Sequence, residues 1–65
     1  MPVVTIDMWE GRTIDEKKQL IKGITSVIMD KLNVPPEAVQ IIIKDNPRHN
    51  WGIGGKMATE AFPET

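Results

Sequence analysis

The sequence predicts an α+β fold: a single β-α-β unit followed by a C-terminal hairpin, in one domain spanning residues 1–65. Three observations carry that expectation. Residues 2–9 alternate with the two-residue period of a strand. Between Thr13 and Asn33 apolar residues recur at helical spacing. Residues 39–44 return to a β-branched, apolar run, and a glycine-rich stretch follows at 52–55.

In the first strand Val4, Ile6 and Met8 share one face, while Val3, Thr5, Asp7 and Trp9 share the other. Proline suits the head of a strand, where a missing N–H costs little. Glu10-Gly11 supplies a flexible turn. Thr13-Ile14-Asp15-Glu16 then reads as a capping box, with the Thr13 hydroxyl and the Glu16 carboxylate each accepting from the other residue's backbone N–H. Behind it Leu20, Ile21, Ile24, Val27, Ile28 and Leu32 form one stripe of a helix of about five turns. Gly23 sits mid-helix, where glycine costs about 1 kcal/mol relative to alanine; close packing against a neighbour would explain it. Asn33 is suited to the left-handed terminating conformation, and Pro35-Pro36 are expected to stop the helix.

A strand, a helix and a second strand over 39–44 are expected to pair in parallel with a right-handed crossover. Residues 45–50 read as loop chemistry, and 51–56 as a tight hairpin or a strand with a glycine turn. The tail from 57 to 65 carries weak signals and is expected to order against another subunit. One helix on two strands leaves a sheet face bare, with Val3, Trp9 and Ile42 toward it, and both edges open to pairing with another chain.

Size sharpens this last point. A chain of 65 residues buries little surface by itself and usually needs disulfides, a metal or oligomerisation. There is no cysteine, which removes disulfides and thiolate metal sites, and the lone His49 makes a poor zinc site, so no metal is expected. Oligomerisation remains. Net charge is −1 with scattered basic residues, so neither nucleic acid nor an anionic membrane is an expected partner. No apolar run approaches the roughly 20 residues that span a bilayer, no signal-peptide pattern is present, and a cytoplasmic location is expected.

The candidate chemistry begins at Pro2. Proline after Met1 has a bland reading as the start of a strand. Its functional reading is a general base: removal of Met1 exposes a secondary amine, and burial or a nearby cation lowers its pKa toward neutrality. A retained Met1 makes the same nitrogen an amide without a basic lone pair. Arg12 is either a solvated turn residue or a carboxylate clamp, because a guanidinium fork matches a carboxylate bidentately. Arg48 reads as a loop surface charge or as a second cation pointing into a neighbouring site. Trp51 reads as a buried or interface aromatic, or as a site wall that excludes water. The glycines at 52, 54 and 55 fit turns; neither phosphate-binding glycine spacing is present.

Pro2 opening a strand, Glu10-Gly11-Arg12-Thr13 before the helix and Trp51-Gly52-Ile53-Gly54-Gly55 near the end together resemble the 4-oxalocrotonate tautomerases, over residues 2–56. The resemblance implies a tautomerase-like fold assembled as a hexamer, a trimer of dimers. It implies an isomerase that uses no metal or organic cofactor. The N-terminal proline, matching Pro2, moves a proton between the 2-hydroxy-dienol system and a carbon of an unsaturated 2-hydroxy dicarboxylate, giving the conjugated ketone. Arg12 matches the arginine that binds the far carboxylate from a neighbouring subunit. Trp51 matches an aromatic position, commonly phenylalanine, that keeps the proline's pKa low. Gln40 stands where the best-studied members carry a second arginine that grips the 2-hydroxyl and near carboxylate; an uncharged donor there interacts more weakly.

Two alternatives keep the scaffold. One is a structural or low-activity subunit of a hetero-hexamer, with Gln40 marking a relaxed site. The other is a hydratase or dehalogenase of small acrylic acids, which needs a water-activating carboxylate that the sequence does not single out. A strand of this length holds Pro2 and Arg12 roughly 25 Å apart at about 3.3 Å per residue. A site using both has to borrow one from a neighbour.

Overall fold

The computed structural model describes residues 1–63. Strand β1 (Val3–Trp9) leads into helix α1 (Ile14–Leu32), which returns the chain to strand β2 (Gln40–Asn46). The two strands pair in parallel, from Val3 opposite Gln40 to Trp9 opposite Asn46. Strands β3 (Gly52–Ile53) and β4 (Lys56–Met57) form an antiparallel hairpin, and a one-turn helix α2 (Ala58–Ala61) closes the described chain.

Local chemistry sets most of these limits. Thr13 caps α1: its Oγ1 accepts from the Glu16 N–H at 3.0 Å, and the Glu16 carboxylate accepts from the Thr13 N–H at 2.9 Å. Asn33 ends the helix with φ 55°, the left-handed conformation expected of it. Gly54 and Gly55 both take positive φ, 59° and 84°, which is what a two-residue hairpin turn between twisted strands requires. Pro36–Ala38 and Arg48–Asn50 each form a single 3-10 turn after a proline.

Four features differ from expectation. Strand β2 runs two residues past 44, because its ladder with β1 continues and overrides the turn preference of Asp45 and Asn46. The Asn46 amide then serves the ladder, donating to Lys44 O at 3.2 Å and Met8 O at 3.3 Å. The helical stripe is wider than its cover: Leu20, Ile24 and Ile28 are half-buried, while Ile21, Val27 and Leu32 stay exposed. Two strands about 4.8 Å apart do not span so broad a stripe. Gly23 has no close neighbour, since a methyl group built there meets nothing within 4 Å. It lies instead on an open apolar groove with Leu20, Ile24, Val27 and Ile28.

The tail is the fourth. Residues 57–63 order against their own chain: the Ala58 N–H donates to Trp51 O at 2.7 Å, and Phe62 packs on Trp9. Residues 64 and 65, the end of the predicted tail, lie outside the described residues. Ala58 is the one fully buried residue among those described. On the outer sheet face Val3 and Ile42 remain 54% and 48% exposed, whereas Trp9 is half-covered by the C-terminal segment. No described helix is long and apolar enough to cross a membrane.

Candidate active site

The parallel register puts Pro2 beside Gln40. The Gln40 N–H donates to the Pro2 carbonyl at 3.0 Å, fixing the half-buried proline at the head of the sheet. The Gln40 side chain reaches the residue before it, its Nε2 donating to Met1 Sδ at 3.4 Å. With Met1 attached, the Pro2 nitrogen is an amide without a basic lone pair. Met1 itself is 82% exposed, and the contact from Gln40 is the one side-chain hydrogen bond it makes among the described residues.

Arg12 lies past the opposite end of β1, on the turn that Gly11 makes with φ 116°. Its Nη1 reaches Glu16 Oε2 at 3.4 Å. Glu16 therefore ties the helix cap to the arginine. Its carboxyl lies below the ordinary value of 4.5, first because the Thr13 backbone N–H donates to it and secondarily because the Arg12 cation is close. An exposed i,i+4 ion pair is worth little, so Glu16 holds Arg12 only weakly. Arg12, Met8, Glu16, Lys17 and Leu20 rim a cavity of about 220 Å³. Lys17, on the same rim, is paired with Asp45 on β2.

The same end of the molecule collects all three aromatic residues of the chain. Trp9 and Trp51 meet edge to face, centroids 6.2 Å apart at 84°, and Phe62 lies 5.8 Å from Trp9 at 55°. Arg48 lays its guanidinium over the Trp9 ring, 4.9 Å from the centroid, and donates through Nη2 to Ala58 O at 3.5 Å. Aromatic pairs contribute about 0.5–1.5 kcal/mol and a cation over a ring about 0.5–1 kcal/mol. Residues 47–50 keep their loop character, and these contacts make Arg48 half-buried there rather than a loop surface charge. The Trp9 indole N–H is buried without an acceptor among the described residues, an arrangement that costs about 1–3 kcal/mol.

Within one chain the five residues singled out by sequence thus fall into two groups. Pro2 and Gln40 are together at one end of β1; Arg48 and Trp51 both meet Trp9 at the other, about 20 Å away at the rise of a strand, and Arg12 lies on the turn beyond it, lining a different cavity. Trp9 and Phe62 are additions that sequence reasoning did not nominate. The signal available for Trp9 was its parity with Val3 on the outer face, together with the scarcity of other aromatics to pack on it.

The family model for tautomerase enzymes matches residues 2–61. A probable tautomerase of Streptococcus pneumoniae serotype 4 is 40% identical over 60 residues, 92% of this chain and all of that protein. A 2-hydroxymuconate tautomerase of Comamonas testosteroni is 38% identical, covering 92% of this chain and 95% of its own. Among solved structures, a 4-oxalocrotonate tautomerase isozyme of Methylibium petroleiphilum superposes with a TM-score of 0.88 at 38% identity, over 94% of this chain and 98% of that one. A sequence matched along nearly its whole length, a common β-α-β fold with C-terminal strands and a proline at the head of β1 lead to one conclusion: the chain belongs to the tautomerase family and is an isomerase.

Proposed function

We propose that this protein ketonises a 2-hydroxy-dienoate such as 2-hydroxymuconate, without a cofactor, by proton transfer through Pro2 once Met1 has been removed. The observation that carries the reading is the setting of Pro2, anchored at its carbonyl by Gln40 while the residue bonded to its nitrogen stands in solvent. The free amine takes the proton of the 2-hydroxyl. Electrons move along the diene, and the protonated amine returns the proton to the distal carbon, leaving the conjugated ketone. Gln40 donates a hydrogen bond to the 2-oxygen as it gains carbonyl character. Arg12 of a neighbouring subunit holds the far carboxylate, and Trp51 excludes water, with Arg48 as a second cation beside it.

This chemistry needs partners, and the shape of the chain favours them. A compact monomer of 7.3 kDa exposes about 4,200 Å²; this chain exposes 5045 Å². Its radius of gyration is 15.0 Å, against about 11 Å for a compact domain of its length. Assembly as a trimer of dimers, each chain a single domain acting in the cytoplasm, would cover the bare sheet face and bring opposite ends of β1 from different chains together.

The test pairs intact mass with ketonisation of 2-hydroxymuconate. Protein lacking Met1 should be active as a homo-hexamer, and Pro2→Ala should lower kcat/KM by about 100-fold or more, the usual contribution of a general base. An active Pro2→Ala protein refutes the proline mechanism. An inactive homo-oligomer that has lost Met1 favours a structural subunit instead.

A further inference from the structure

The strongest unassigned feature is the orphaned indole of Trp9. A phenylalanine would fill the same place against Trp51 and Phe62 without burying an unpaired N–H. What tryptophan adds is the largest and most electron-rich ring face, the best surface for a cation, and Arg48 occupies it at 4.9 Å. Trp51 meets the same residue edge to face, so one side chain fixes the positions of two others. We propose that Trp9 is the positioning residue of this site, holding Trp51 and Arg48 as a single wall. The proposal rests on the proline reading given above.

Its consequence is electrostatic. A closed wall keeps water from the Pro2 amine of the neighbouring chain and lets the Arg48 charge act through a poorly screening medium; both effects depress the amine's pKa. Loosening the wall admits water and screens the cation, so the pKa rises and the enzyme needs higher pH to reach full activity. The other charged groups near this cluster are Glu10, His49, Glu60, Lys56, which shares a cavity with Trp51, and, on the sheet face beside Trp9, Asp7 and Lys44. His49 shares a cavity with Arg48, so His49→Gln serves as the control that removes it.

The experiment is the pH profile of kcat/KM for 2-hydroxymuconate, measured on the full-length assembled protein. Trp9→Leu should move the acid limb upward by about half a pH unit or more. Trp9→Phe, which keeps a ring face, should move it less, and His49→Gln should leave the limb of each background in place. Arg48→Gln should move it in the same direction, and adding Trp9→Leu to Arg48→Gln should shift it by less than the sum of the two. Should Trp9→Leu not assemble, Trp9→Phe and Arg48→Gln still carry the comparison, because each leaves a side chain to fill the space. A uniform loss of activity with no displacement of the limb overturns the positioning role while leaving the proline reading intact. A Pro2→Ala protein that remains active overturns both.

Discussion

At its N-terminal end β1 presents Pro2 with an uncharged amide from Gln40 and exposed Val3 beside it. At its C-terminal end it presents Trp9, wrapped by Trp51 and Phe62, with Arg48 on its ring and Arg12 just beyond. The proline end is bare, and the aromatic end is crowded. A single chain spends its few aromatic contacts on rigidifying the end that carries the arginines. The proline is left to be walled by something else. The difference teaches what the proposed site asks of assembly: its two groups lie at opposite ends of one strand, so a site that uses both has to draw them from different chains.

The largest test of that contrast is complementation. Arg12→Ala alone should raise KM by about 10-fold or more, the loss of a charge-assisted carboxylate contact. Co-expressed with the inactive Pro2→Ala chain, it should return up to about a quarter of wild-type activity, because random assembly pairs intact ends from different chains. No recovery would place both ends of the site in one chain. Next in size, Gln40→Arg gives the bare end a charge and should raise kcat/KM for a dicarboxylate dienol by about tenfold; no change would make Gln40 a bystander.

The smallest effect concerns the cap that ties Arg12 to α1. Thr13→Ala should cost about 1 kcal/mol of stability, read as a lower Tm. Glu16 adds a pH dependence of definite sign. Its folded pKa is depressed below 4.5, so its contribution is complete above that value and is lost as pH falls through it toward the folded pKa. Glu16→Gln should flatten that part of the stability profile; an unaltered profile would remove the cap from the account.

Much of the molecule could be read directly from the chain. The capping box at Thr13 and Glu16, the left-handed Asn33, the Gly54-Gly55 turn and the strand parity of residues 3–9 depend on groups within four residues of one another. Their free energies are decided locally, and the sequence states them in full. The motifs around Pro2, Arg12 and Trp51 pointed to the family for a similar reason, being short runs at characteristic distances.

Other features waited for the tertiary structure, because they depend on residues far apart in the chain. The register that sets Gln40 against Pro2 joins positions 38 residues apart, and no local preference specifies it. The extension of β2 through Asn46 follows from that register against the turn preference of its own residues. The open space beside Gly23 is a property of a two-stranded sheet too narrow for the helix above it. Trp9 shows the division most clearly. Its face of the strand was legible from parity, but its neighbours Arg48, Trp51 and Phe62 come from at least 39 residues away. The sequence by itself determined the elements, their ends and the chemical groups they carry. Only tertiary packing decided which of those groups meet, since contact between distant segments is set by the shape of the whole fold.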